Sequence, residues 1–408
     1  MLNTRLAALS DYPFQRLRSL LESQPTDHGL APINMSIGEP QHAMPDFVAP
    51  ILARDPGMLS RYPTVNGTPD FRLACAEWLK RRYDLPEGLI DPERQIVALN
   101  GTREGLYMLA QAVVPEVKGP RDEKPLVLMP NPFYQAYVGA AVAAGAEPYF
   151  VPAMAESNFM PDFAGLPEDV LARTALVYIC SPANPQGTVA SLDYMVRLLE
   201  LAAQYDFIVA FDECYAEIYD SAPPPGGLQA ALHRAGGSIG DDVLRHCVVF
   251  HSLSKRSSVP GLRSGFCTGG VEAMQLFIKL RQYGSAGLMM SVCEASAALW
   301  REESHVVANR ELYRAKFDIA QNILGNRFGF YRPAGGFYLW LDMGDSEAAA
   351  LKLWREAGLR TLPGAYLVRD LGDGPSAAAG KPYLRLALVS DLETTREALQ
   401  RFGNVFAG

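Results

Sequence analysis

A chain of 408 residues, 49% of them hydrophobic, is long enough to bury a large α/β core together with a smaller second one. Its 45 acidic and 37 basic residues leave a formal net charge of −8, which argues against nucleic-acid backbones and anionic lipid as partners but leaves small anions open to a local arginine cluster. The opening MLNTRLAALSDYPF holds no apolar run long enough for a signal segment, and no stretch approaches the ~18 apolar residues of a membrane span, so a cytoplasmic protein is expected.

From about residue 95 to 285, β-like and helical patterns alternate. Strands are expected over Gln95–Asn100, Pro125–Met129, Glu147–Val151, Ala175–Cys180, Phe207–Asp212, His246–Ser252 and Arg263–Thr268. Several are continuous apolar runs, the signature of strands covered on both faces. Thr102–Val114 reads as a helix after the first strand. Leu192, Met195, Leu198, Leu199 and Ala202 repeat near 3.6 residues and mark a helix over Leu192–Tyr205. The alternation predicts a mostly parallel sheet. The last third differs. One long helical stretch is expected from about Ser291 to Leu324. A strand (Gly336–Leu341), a helix (Ser346–Glu356), a short strand near Thr361, a strand (Tyr383–Val389) and a final helix (Leu392–Phe402) follow. This reads as a smaller α+β unit. Gly335-Gly336-Phe337 looks like a hairpin turn, and the Pro/Gly-rich stretches 221–227 and 371–381 look like exposed loops.

The six cysteines form no C-x-x-C pair and mostly sit in apolar runs, as small buried hydrophobes do in a reducing compartment. The six histidines lack metal-ligand spacing, so no metal is expected.

Four short motifs follow strands, at the edge where open α/β sheets collect ligands. In His-Ser-Leu-Ser-Lys (251–255), the strand HCVVFHS delivers Lys255 at its end. A lysine there is ordinarily a solvated surface residue. Here Arg263 lies eight residues on, beyond a Pro260-Gly261 turn, and serines flank the amine, a set suited to a phosphate dianion. Phe-Asp-Glu-Cys-Tyr (211–215) ends a buried strand with Asp212, a costly group unless paired. A structural ion pair or a cationic ring nitrogen would each satisfy it. Ser-Pro-Ala-Asn-Pro-Gln-Gly (181–187) holds Asn184 between two prolines, and by itself signals only a turn. Asn-Gly-Thr-Arg-Glu-Gly (100–105) opens a helix, whose first N–H groups and the Thr102 hydroxyl can bind an anion or simply form a cap.

Asn184, Asp212, Lys255 and Arg263 occur in that order with gaps of 28, 43 and 8 residues. The pattern resembles the fold-type I pyridoxal-phosphate-dependent aminotransferases of class I/II, from Ile33-Asn34-Met35-Ser36-Ile37-Gly38-Glu39-Pro40 to Tyr383-Leu384-Arg385-Leu386-Ala387-Leu388. The resemblance implies an aspartate aminotransferase-like α/β fold with a mostly parallel seven-stranded sheet. It also implies three parts: an N-terminal segment (1–45) packing with the small domain, a large cofactor-binding domain (46–290) and a small C-terminal domain (291–408).

Residue by residue, the resemblance implies that Lys255 bonds to pyridoxal 5'-phosphate and then moves the substrate's Cα proton. Asp212 would pair with the ring nitrogen, and Tyr215 and Asn184 would hold the ring's phenolate oxygen. Backbone amides of Thr102 and Arg103, with Ser252 and Arg263, would take the phosphate. Tyr134 would stack on the ring, with Phe133 the less favoured choice. Arg385, assisted by Gly38 and Asn184, would bind the substrate carboxylate. Tyr62 would reach the neighbouring subunit's site, implying a homodimer that acts on an amino acid and a 2-oxo acid.

Within the family, NMSIGEP, VALNGTREGLY, PNPFYQAY, FDECYAEIY and FHSLSKRSSVPGLRSGF look like the N-succinyldiaminopimelate aminotransferases of lysine biosynthesis. Arg103 is the unusual element, and a substrate with several carboxylates would give it a purpose. Arg281–Gly287 departs from that pattern by lacking Tyr-His-Gly, and Gln186 by replacing the commoner Thr. The rival readings are an aminotransferase for aspartate, aromatic amino acids or alanine, a carbon–sulfur lyase of the same fold, and a ligand-binding regulator. The regulator is disfavoured because no basic DNA-binding extension is present and Lys255, Asp212 and Arg385 all are.

Overall fold

The computed structural model describes residues 4–22, 29–240, 243–369 and 379–407. Its strands, in chain order, are β1 (Ile33–Asn34), β2 (Val97–Leu99), β3 (Leu126–Asn131), β4 (Glu147–Pro152), β5 (Thr174–Cys180), β6 (Ile208–Asp212), β7 (Cys247–Ser252), β8 (Gly265–Gly269), β9 (Tyr338–Asp342), β10 (Leu359–Arg360), β11 (Leu362–Pro363) and β12 (Tyr383–Ala387). All seven strands expected between 95 and 268 form, and they join one sheet in the order β2-β8-β7-β6-β5-β3-β4. The pairings β7-β6-β5-β3-β4 are parallel, and β8 runs antiparallel to β2 and β7.

The sheet is apolar on both faces, and side-chain alternation sorts each strand into two cores. Val177, Ile179, Val209, Phe211 and Val249 face a cluster with Phe71, Trp78, Leu198 and Trp300. Leu176, Tyr178, Ala210, Val248 and Phe250 face a second cluster with Leu106, Leu109, Tyr137 and Phe277. Each fully buried large side chain contributes roughly 1.5–3 kcal/mol, so these layers dominate the stability of the sheet. The crossover helices start on side-chain caps. Thr68 accepts from the Phe71 N–H ahead of helix Pro69–Tyr83, and Ser191 does the same from Tyr194 ahead of Leu192–Tyr205.

The smaller unit is a three-stranded antiparallel sheet, β11-β12-β9, with β1 paired to β10 in parallel. Ile33 and Met35 thereby enter a core with Leu339, Leu341, Leu353, Leu384, Leu386 and Phe402. Thr361 separates two short strands where one was expected.

The long helix expected over Ser291–Leu324 is two helices, Met290–Arg301 and Ser304–Leu324. Glu302 is extended (φ −91°, ψ 132°), and Arg256 takes the freed groups, donating to the Leu299 carbonyl at 2.6 Å and to the Glu303 carboxylate at 2.7 Å. Val292, Cys293, Ala295, Leu299 and Trp300 of the first helix belong to the large core, with Trp300 4.7 Å from Trp78. We therefore propose that the domain division falls after Arg301 rather than at 290. Two loop expectations also change. Ser221, Ala222 and Pro223 are exposed as expected, but Pro224, Gly226 and Gly227 are buried, and a Cβ at Gly227 would lie 2.4 Å from the Phe211 ring. Gly335-Gly336 makes no hairpin turn; it docks on two other loops, donating to the carbonyls of Gly187 (3.0 Å) and Ile218 (2.8 Å). Most of the 371–381 stretch lies outside the described residues. Among the described residues no helix is long and apolar enough to cross a membrane.

Candidate active site

The carboxyl ends of β3, β5, β6 and β7 open into a cavity of about 450 Å³. All six residues of β7 are buried. At its end the Ser252 hydroxyl accepts from the Ser254 N–H at 3.2 Å and starts a one-turn helix, Leu253–Arg256, that aims Lys255 into the cavity. The Lys255 amine donates to the Gly38 carbonyl at 2.5 Å and lies 5.2 Å from the Phe337 ring centroid. Burial lowers its pKa to about 8, with Cys214 opposing that shift and Arg385 adding to it. Gly38 cannot carry a side chain, because a Cβ there would sit 1.8 Å from the Tyr338 hydroxyl.

Asp212, at the end of β6, is 5% exposed. The Tyr137 hydroxyl donates to it at 2.7 Å and the Cys214 N–H at 3.4 Å. Burial raises its pKa, since neither partner is a cation. Three residues on, the buried Tyr215 shares a 3.2 Å hydroxyl contact with Tyr338. Across the cavity, Arg385 on β12 donates to the Asn184 side-chain oxygen at 3.0 Å and to the Ser36 carbonyl at 2.6 Å. Its Nε has no partner, it is 4% exposed, and no carboxylate pairs with it among the described residues.

A third corner suits an anion. Gly101, at φ +85°, precedes helix Thr102–Val113 without a side-chain cap, leaving the first N–H groups of the helix available. The Arg263 guanidinium lies over Gly101, where a Cβ would meet its Nη2 at 2.1 Å. Arg263 is anchored to the carbonyls of Pro260 (3.0 Å) and Asn100 (3.4 Å). Beside this corner, exposed Arg103 donates to the Tyr134 hydroxyl at 2.5 Å.

Eleven of the twelve expected site residues line this cavity: Gly38, Thr102, Arg103, Tyr134, Asn184, Asp212, Tyr215, Ser252, Lys255, Arg263 and Arg385. Tyr62 does not; it is fully exposed elsewhere on the surface. Phe133 lines the wall but packs into the core against Phe150, 4.9 Å away. Sequence reasoning passed over Tyr137, Tyr338 and Tyr12, which also line the cavity. Tyr137 had a signal, since it stands one helical turn after Tyr134. Tyr338 and Tyr12 come from distant parts of the chain and had none. Cys180 and Cys214, expected as buried hydrophobes, are half-buried at the cavity wall; all six cysteines are free.

The cavity therefore holds an amine and two unbalanced buried charges: an acid without a cation and a guanidinium without an acid. Residues 31–402 match the family model described as aminotransferase class I and II. An LL-diaminopimelate aminotransferase of Syntrophobacter fumaroxidans is 32% identical over 406 residues, 97% of each chain. A crystal structure of an aminotransferase from Neisseria meningitidis shares 39% identity at a TM-score of 0.91, covering 99% of this chain and all of that one. A Thermus thermophilus structure, described as a probable N-succinyldiaminopimelate aminotransferase, shares 26% identity at a TM-score of 0.82, over 96% of this chain and all of that one. Family match, near full-length kinship and shared fold agree with the charges in the cavity: the chain belongs to the class I and II aminotransferases, transaminases that use pyridoxal phosphate.

Proposed function

We propose that this aminotransferase exchanges amino groups between N-succinyl-LL-2,6-diaminopimelate and 2-oxoglutarate, a step of lysine biosynthesis. The carrying observation is Arg103. It stands at the mouth of the cavity, tied only to phenol groups and free of carboxylate partners among the described residues. A substrate with a distal carboxylate would supply that partner. The motifs of the chain and the name of the Thermus thermophilus relative point the same way. The 32% identical relative favours a second reading, free LL-diaminopimelate. The test is a screen of half-reactions with N-succinyl-LL-diaminopimelate, LL-diaminopimelate, glutamate and aspartate. The highest kcat/KM on the succinylated compound supports the first reading; equal or higher kcat/KM on LL-diaminopimelate or aspartate overturns it.

The cavity fits pyridoxal phosphate on charge as well as size. Asp212 lacks a cation, the helix start beside Arg263 lacks an anion, and Lys255, its pKa lowered, lines the same cavity. Bound there, the cofactor supplies a conjugated cationic ring that accepts the electron pair left when an amino acid's Cα–H bond breaks. In this reading Asp212, held by Tyr137, keeps the ring nitrogen protonated, while Tyr215 and Asn184 donate to the ring oxygen. Thr102 and Arg103 amides, Ser252 and Arg263 hold the phosphate, and Tyr134 covers the ring face. Arg385 grips the α-carboxylate in a two-point contact, with Gly38 and Asn184 beside it. Lys255 Nζ would take the Cα proton and pass one to the cofactor carbon, general-base work contributing roughly 10²–10⁴-fold. Tyr62 reaches the site of a second subunit, so the working form is a homodimer.

A further inference from the structure

A polar chain centred on half-buried His42 runs behind the cofactor pocket. His42 follows the segment that carries Gly38. Its Nδ1 lies 2.6 Å from the Asn309 side-chain oxygen, and its Nε2 lies 2.6 Å from the Lys316 amine. The Asn309 amide nitrogen in turn faces the main-chain carbonyls of Lys255 and Arg256, both at 3.3 Å. Asn309 is 7% exposed and Lys316 is fully buried.

The direction of every bond in this chain follows from donor counting. Two carbonyls take the Asn309 amide hydrogens, so its oxygen must accept from His42. Nδ1 then carries the ring proton, and Nε2 accepts from Lys316. Only one proton beyond the neutral ring need be shared along this line, and burial agrees, lowering Lys316 to about 7 and lowering His42 as well. The ring packs on Tyr313 with centroids 4.6 Å apart, and Asp391 is the nearby opposing charge on Lys316. The main chain is stitched in parallel. Ser258 donates its hydroxyl to the His42 carbonyl at 3.0 Å, and Lys255 Nζ meets Gly38 O. Residues 38–42 and 255–258 are thus clamped at both ends, with the imidazole as the cross-member.

We infer that His42 is a positioning residue for Lys255, holding through Asn309 the turn from which that amine moves the Cα proton. This rests on the assignment of Lys255 as the cofactor lysine. Proton transfer is steeply sensitive to reach, and a displacement near 1 Å can cost about 100-fold. A loosened turn should therefore slow proton transfer while leaving carboxylate binding at Arg385 intact.

The experiment uses holoenzyme and an amino donor deuterated at Cα. His42→Phe keeps the ring on Tyr313 and removes both hydrogen bonds. It should lower kcat about 10-fold or more with KM nearly unchanged, and the deuterium isotope effect on kcat should rise. His42→Gln offers one donor and one acceptor in the same places and should restore most of kcat. A merely structural loss reduces the amount of active enzyme, leaves the isotope effect as in wild type, and overturns the inference. So does an unchanged kcat. If His42→Phe does not fold, Asn309→Ala carries the same expectations. Borohydride trapping of the cofactor on Lys255 in the parent enzyme separates the two failures: no label at Lys255 sinks the lysine assignment, whereas label with an unmoved isotope effect sinks only the role of His42.

Discussion

At the residue scale, the two unbalanced charges and the amine beside them in one cavity set what substitutions do. Lys255 has its pKa lowered to about 8 by burial. At neutral pH roughly a tenth of it is uncharged, about 300 times the fraction for an ordinary lysine. Apoprotein incubated with pyridoxal phosphate and reduced with borohydride should carry the label on Lys255. Its initial rate should rise through pH 7 and level off above about 8. A plateau only near pH 10 would contradict the burial argument. Arg385 is the residue whose loss should be felt in amino-acid binding. In the proposed role, Arg385→Ala would leave the substrate carboxylate desolvated and unmatched, and kcat/KM should fall by the equivalent of roughly 2–5 kcal/mol. Unchanged kinetics would remove Arg385 from the site.

At the scale of elements, most of the seven large-sheet strands were legible because they are short apolar runs bounded by turn residues and buried on both faces; the edge strand β4 is only partly buried. The site motifs were legible for a related reason: they sit at strand ends, one element apart, where chain order alone places them on one edge. The helix break at Glu302-Glu303 was not legible. Nothing local forbids a continuous helix there, and the break exists because Arg256, 43 residues earlier than Leu299, captures its carbonyl. Arg256 is 2% exposed and lies over Trp78 and Trp300, with ring centroids 5.5 and 5.0 Å away. Arg256→Ala should cost roughly 3–5 kcal/mol in urea unfolding, because it leaves a cavity and unpaired carbonyls in the seam. A loss under about 1 kcal/mol would mean the break is held by something else.

At the scale of the whole molecule, two expectations concern how parts meet. Lys316 is fully buried, and its pKa is lowered from 10.5 to about 7, mainly by burial. Below pH 7 both folded and unfolded chains hold its proton, and the folded chain bears the full cost of the buried charge. Between about 7 and 10.5 the unfolded chain binds more protons than the folded one, so this group's contribution to stability rises with pH. Lys316→Met should therefore raise the melting temperature more at pH 6.5 than at pH 9.5, read by calorimetry; a gain that is equal at both, or reversed, would refute the sign. The second expectation concerns the homodimer. Tyr62 is fully exposed in the single chain. If it serves the partner's site, mixing inactive Lys255→Ala and Tyr62→Ala proteins yields hybrids with one intact site, and about a quarter of wild-type activity should return. No recovery would place Tyr62 in its own subunit's site, and a Tyr62→Ala protein that keeps full activity would place it in none.

The sequence by itself determined the order of strands and helices, the class of chemistry and most of the residues that line the cavity. These follow from local periodicity and from motifs whose parts lie close along the chain. Only the tertiary structure decided which distant groups meet: Tyr137 on Asp212, Tyr338 over Gly38, Arg256 in the helix break, and His42 joined through Asn309 to the backbone of Lys255. Such contacts depend on how layers pack and on which buried polar group finds a partner. That is a property of the closed fold rather than of any window of residues.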